Sequence, residues 1–123
     1  MEQLAQMYKA LSEDMRLRIV MLLARGEICV CDLMAIFGES QSKVSRHLAY
    51  LKHSGLVKSK RVGTWMHYSL KKPLDSTIDA QVTFMKQQLS QLPVFLRDEE
   101  KMQDIMKQKL CEEDIKDGRR TNQ

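Results

Sequence analysis

Leu4, Met7, Tyr8 and Leu11 recur at steps of three and four, and Met15, Ile19, Leu22 and Leu23 repeat the pattern. That spacing predicts two helices, each with one apolar stripe. Ser12, followed by Glu13 and Asp14, reads as the N-cap of the second helix, with acids where unpaired N–H groups favour them. Gly26 closes that helix, and a shorter apolar run from about Val30 to Phe37 ends at Gly38. A polar stretch then leads into a helix that is polar at its start and apolar at Val44, Leu48 and Leu51. Two helices joined by a tight turn in this way predict a helix-turn-helix, the second being the recognition helix.

Gly55 ends that helix, and from Leu56 to Leu70 the period changes to that of two strands around Val62, Gly63 and Thr64. The expected hairpin is basic, a wing with Lys58, Lys60 and Arg61 on its first strand or turn, and Trp65 is expected to pack on the adjacent helix. After Pro73, the residues Ile78, Val82, Met85, Leu89, Leu92 and Leu96 alternate steps of four and three, which predicts a dimer seam shared with the first helix. Pro93 should kink or end that helix near Leu92. Met102, Ile105, Met106 and Leu110 offer one weak amphipathic helix before a polar end, frayed after about Glu112.

A chain of 123 residues is one domain in size, and 43% hydrophobic with 29% charged residues is ordinary for a globular protein. No apolar run is long enough to span a bilayer and no basic-then-apolar leader opens the chain, so the expectation is a cytoplasmic protein with no membrane partner. The net charge of +4 is unevenly spread. Between Ser40 and Leu74 there are eight basic residues and no acidic one, whereas residues 1–39 hold four basic and six acidic. So one-sided a block predicts a positive face for a phosphate backbone, and the helix-turn-helix within it makes double-stranded DNA the expected partner.

Three cysteines, an odd number, argue against a disulfide framework in a reducing compartment and leave thiol chemistry, ligation or packing as their roles. Cys-x-x-Cys, a glycine-rich phosphate loop and an acid–base pair beside the thiols are all lacking, which excludes the familiar thiol-enzyme patterns and any catalytic cofactor.

The run Ile28–Cys29–Val30–Cys31–Asp32–Leu33, followed by Ser40–Gln41–Ser42–Lys43–Val44–Ser45–Arg46–His47–Leu48 and by Gly63–Thr64–Trp65–Met66–His67–Tyr68, resembles the arsenical-resistance repressors of the ArsR/SmtB family. The similarity covers roughly the first 95 residues. It implies a mainly α fold with a small β-hairpin wing, a dimeric winged helix-turn-helix. It also implies a homodimer on an inverted repeat of operator DNA, released when As(III) or Sb(III) binds Cys29 and Cys31. On this reading residues 1–97 form the DNA-binding and dimerisation domain, and residues 98–123 a charged C-terminal tail, partly helical or disordered.

The chemistry agrees with the resemblance, because trivalent arsenic and antimony are thiophilic and thiolates select soft ions. Residues two apart on an ideal helix project about 200° apart, so metalloid binding is expected to unwind the start of the short helix. That deformation would tilt the recognition helix and disfavour DNA binding. The chain departs from the family pattern at Met34, where the best-known members carry a third cysteine. A thioether is a poor partner for trivalent arsenic, so Met34 reads as core filling and Cys111 as the substitute third ligand. The alternatives are a cadmium- or lead-responsive repressor and a thiol-redox repressor of the same fold. Residues 1–28 contain no cysteine and the segment 75–92 no histidine, which argues against the extra ligands of the metal-sensing relatives.

The expected DNA contacts are Gln41, Ser42, Lys43, Ser45, Arg46 and His47 at the start of the recognition helix, with Lys60 and Arg61 on the wing. Arg46 and Gln41 have the hydrogen-bonding geometry to read guanine and adenine edges, while Lys43, Lys60 and Arg61 suit phosphates.

Overall fold

In a computed structural model the described residues are 1–72 and 76–116, with side chains described as far as Lys109. Pro73 and the end of the chain beyond Lys116 lie outside the described residues. The element order is α1 (Glu2–Leu11), α2 (Asp14–Leu23), β1 (Ile28–Cys29), α3 (Val30–Phe37), α4 (Gln41–His53), β2 (Val57–Val62), β3 (Trp65–Leu70), α5 (Ser76–Leu89) and α6 (Pro93–Lys116). Helices with a small antiparallel sheet, as the sequence predicts, enclose one apolar core. Met7, Ile19, Leu33, Ile36, Val44, Leu48, Leu51 and Leu56 meet there, each almost wholly removed from water.

The caps explain where the helices stop. Glu13, not Ser12, caps α2: its backbone is extended (φ −111°, ψ 130°) and its carboxylate accepts the Met15 N–H at 3.0 Å. Ser12 still has helical dihedrals and closes α1 instead, its hydroxyl donating to the Lys9 carbonyl. At the other end of the helix-turn-helix, Gly38 takes the left-handed conformation (φ 64°) that ends α3, returning its N–H to the Met34 carbonyl. Two residues later the Ser40 hydroxyl accepts the Lys43 N–H and starts α4.

The sheet has three strands in the order β1-β3-β2, one more than the sequence predicts. β2 and β3 form the expected wing, turning at Gly63 and Thr64, with Lys60 opposite His67 and Val62 opposite Trp65. The added strand is Ile28–Cys29, which pairs with β3 so that Ile28 faces Tyr68 and Cys29 faces His67. Two residues are too few to carry a period of two, so nothing in the pattern announced them. Trp65, expected to pack on the adjacent helix, opens β3 beside the hairpin turn and is 41% exposed.

The heptad stripe is divided. Ile78 and Val82 are buried in the core of their own chain, and the half-buried Met85 packs against that core. α5 lies against α1, where the Tyr8 hydroxyl donates to Gln81. Leu92 and Leu96 are 46% and 43% exposed, and Phe84 is more so. α5 ends at Leu89, and Pro93 opens α6, a position where its missing N–H costs no hydrogen bond.

α6 runs through Arg97 without interruption and lies across α2 and α3. Phe95, Asp98 and Met102 are buried on its inner face. Arg18 of α2 donates twice to the Asp98 carboxylate, at 2.8 and 2.7 Å, and stacks its guanidinium over Phe37 of α3. Arg25 pairs with Glu99 at 3.1 Å, Lys101 donates to the Ile36 carbonyl, and Lys109 pairs with the buried Asp32. Several charges of the segment expected to be a charged tail therefore have partners on α2 and α3. No described helix is long and apolar enough to cross a membrane.

Candidate functional site

Cys29 is the last residue of β1 and also the N-cap of α3, with extended dihedrals (φ −71°, ψ 144°). Its Sγ accepts the backbone N–H of Cys31 at 3.3 Å, and the two sulfurs are joined as a disulfide across a Cα–Cα distance of 5.3 Å. The expectation that the sulfurs project to opposite sides of a helix is therefore corrected. That geometry holds only when both residues are helical, and Cys29 stands one residue outside the helix. The pair converges without unwinding. Cys29 is 3% exposed, and Cys31 is half-buried.

Around the pair, Cys31 Sγ lies 3.8 Å from Asp32 Oδ1, and the other oxygen of that carboxylate is held by Lys109. Met34 packs against the core, as a filler would. Cys111 falls in the last turns of α6, and its side chain lies outside the described residues. Among the described residues no group of three or more His, Cys, Asp or Glu side chains converges as a metal site, so the two sulfurs are the assembled part. Two adjacent soft donors at the mouth of a helix fit a thiophilic ion better than a hard one.

The basic face is built from α4 and the wing. Gln41, Ser42 and Arg46 are exposed on the first turns of α4, with Lys43 and Ser45 partly covered between them. Lys43 pairs with Glu39 at 3.1 Å, an i,i+4 contact that water screens. His47 is half-buried, its Nδ1 3.4 Å from Arg16 Nη1. Burial pushes the His47 imidazole below the ordinary histidine range; Glu13 pulls it back, while Arg16, Arg46 and Lys43 push the same way as burial. On the wing Arg61 is exposed, and Lys60 pairs with Glu27 Oε1 at 3.2 Å. The eight candidates thus occupy one helix start and one strand.

Two residues that sequence reasoning missed support this face. Arg16 reaches from α2 to lay its guanidinium 4.1 Å over the Tyr50 ring while donating to the Ala10 carbonyl at 2.7 Å, which fixes α4 to α1 and α2. Glu27, just before β1, bridges Lys60 and His67 Nδ1, each at 3.2 Å. The hydrogen bond from Lys60, then the charge of Lys60 and His67, hold its carboxyl below the ordinary range. Neither residue has a sequence signal, because both act across elements distant in the chain.

Residues 13–59 match the family described as "Bacterial regulatory protein, arsR family". The chain is 50% identical over 66 residues to an arsenical resistance operon repressor of Escherichia coli, a match covering 53% of this chain and 56% of that protein. It is 40% identical over 85 residues to "Arsenic resistance transcriptional regulator ArsR2" of Pseudomonas putida, covering 68% of this chain and 74% of that one. A cadmium resistance regulatory protein homologue of Staphylococcus aureus is 42% identical over 67 residues, 54% of this chain and 55% of that one. The chain thus spans little more than half the length of two of these three relatives. Among solved structures, HlyU of Vibrio cholerae superposes with a TM-score of 0.66 at 27% identity, covering 73% of this chain and 95% of that one. A homodimeric winged helix-turn-helix DNA-binding domain of Mycobacterium bovis superposes with a TM-score of 0.60 at 32% identity, covering 72% and 83%. The helix-turn-helix and its wing, the basic face and these matches agree: the chain belongs to the ArsR family, a family of transcriptional regulators rather than of enzymes.

Proposed function

We propose that the protein is a metalloid-responsive repressor that binds an inverted repeat of operator DNA as a homodimer and is released when As(III) or Sb(III) joins Cys29 to Cys31. The observation that carries this reading is the convergence of the two sulfurs at the N-cap of α3, the helix that packs directly on the recognition helix α4. Arg46 and Gln41 read base edges, Ser42, Ser45 and His47 contact the duplex beside them, and Lys43, Lys60 and Arg61 neutralise phosphates.

The route from ion to DNA starts at the cap. The Cys29 sulfur that accepts the Cys31 N–H is the same atom that donates an electron pair to the metalloid. Each thiol of the reduced pair displaces one hydroxide from arsenic, which leaves as water with the thiol proton; ligation draws density away from the cap and adds an atom between the sulfurs, so the first turn of α3 shifts against α4. Coupling of about 1–3 kcal/mol is typical of such linked sites and suffices for release. Cys111 supplies a third thiolate from α6.

Thiol counting tests the ligand set. Reduced protein titrated with arsenite should lose three reactive thiols per arsenic in the wild type and two in Cys111→Ser. Identical counts would rule Cys111 out, and an unchanged count in Cys29→Ser would remove the pair itself. A second reading, favoured by the same paired sulfurs, is a redox repressor. There Cys29 and Cys31 give two electrons and two protons to hydrogen peroxide, forming a disulfide and two waters. Release by peroxide without release by arsenite would select it, and release by cadmium alone would select a metal-responsive repressor.

A further inference from the structure

We propose that Glu27 is an internal counter-anion of the wing, which holds Lys60 back from DNA and must be displaced by phosphate when the wing docks. Cys29, His67 and Lys60 form one row across the sheet, since Cys29 is in register with His67 on β3 and His67 with Lys60 on β2. Residues directly opposite in antiparallel strands share a face, and Glu27, two residues before Cys29, falls on that same face. Its two oxygens divide between two partners in the row: Oε1 takes the Lys60 ammonium and Oε2 the His67 ring, each at 3.2 Å. Lys60 Nζ, on a side chain 64% exposed, otherwise stands at the edge of the basic face.

A carboxylate held on a lysine ammonium presents the same chemistry as a phosphate oxygen, so docking exchanges one anion for another on Lys60. The arrangement is also placed to receive the thiol signal, because the short segment that ends in Cys29 begins with this carboxylate. The proposal rests on Lys60 being a phosphate contact, and its test needs no metalloid.

The experiment is fluorescence anisotropy of a labelled duplex from upstream of the protein's own gene, at several salt concentrations, with reduced full-length protein. Glu27→Gln, which keeps shape and removes charge, should tighten binding about 2- to 5-fold, the scale of one exposed ion pair. Lys60→Met should weaken binding and flatten the salt slope by about one ion. In the Lys60→Met background the gain from Glu27→Gln should vanish, since the two residues then act as a coupled pair. An equal gain in both backgrounds would mean that Glu27 merely repels DNA at long range, and no gain in either would mean that it restrains nothing; both overturn the proposal. A Lys60→Met protein with wild-type affinity and slope would overturn the phosphate contact itself, and the proposal with it. Unfolding midpoints matching the wild type establish that the variants fold.

Discussion

The backbone N–H of Cys31 donates to the sulfur of Cys29 at 3.3 Å, so the first thiol of the pair caps the helix that begins between them and carries the second. One atom thereby has two roles, closing an orphan donor of α3 and standing ready as a ligand. The two roles separate by substitution. Cys29→Ser keeps an acceptor at the cap and should change unfolding free energy by well under about 1 kcal/mol, whereas Cys29→Ala should cost about 1 kcal/mol. Both should lose the metalloid response. Urea unfolding of the reduced variants checks this, and equal stability of the two would mean that the sulfur does not act as a cap.

α6 is tied to the rest of the fold by an ion pair that charge density alone disguised. Asp98 is 2% exposed and binds Arg18 through both oxygens, so Asp98→Ala leaves a partly buried guanidinium without its partner. Because the Arg18 side chain is 26% exposed, water relieves part of the cost, and the loss should be about 2 kcal/mol rather than the larger value of a fully buried pair. A fall in the urea midpoint at unchanged slope measures it. No change would mean that α6 contributes little to the stability of the domain.

His47 makes stability depend on pH. Burial, reinforced by Arg16, Arg46 and Lys43 and opposed by Glu13, keeps the folded imidazole below its ordinary value of about 6.5. The unfolded chain then binds a proton that the folded one refuses. Stability from this group is fully present above about pH 6.5 and is lost as pH falls through that value toward the folded one. His47→Gln should flatten the dependence just below pH 6.5, as read by thermal unfolding across pH. The same slope in the variant would place the titration elsewhere.

On DNA, Arg46 and Arg61 should behave differently although both are exposed. Arg61→Ala should weaken operator and random duplex alike and reduce the salt slope by about one. Arg46→Ala should cost about 1–3 kcal/mol on the operator and much less on random DNA. Competition binding with the two duplexes checks both, and equal losses would remove Arg46 from base reading.

Much of the fold around the site was legible because it rests on local rules. Gly38 announces a helix end by chemistry that acts within three or four residues, and Gly63 with Thr64 marks the hairpin. What escaped depends on neighbours far along the chain. β1 is two residues long and exists only because β3 offers it an edge. Glu13 outcompetes Ser12 as a cap because Ser12 is already committed to α1. Treating Cys29 as helical, one residue too early, turned a convergent thiol pair into a divergent one. The charged residues of α6 read as a C-terminal tail, yet Asp98 and Lys109 find partners 80 and 77 positions away. No periodicity carries such a pairing.

The central claim is that the thiol pair controls DNA binding, and anisotropy of labelled DNA from upstream of the protein's own gene tests it most directly. Reduced protein is first bound to the duplex, then titrated with arsenite. The account predicts release in the wild type, no release in Cys29→Ser or Cys31→Ser, and weaker release in Cys111→Ser, with all four proteins binding the duplex comparably beforehand. Tight arsenite binding that left the DNA dissociation constant unchanged, or full release from the Cys29→Ser protein, would contradict it.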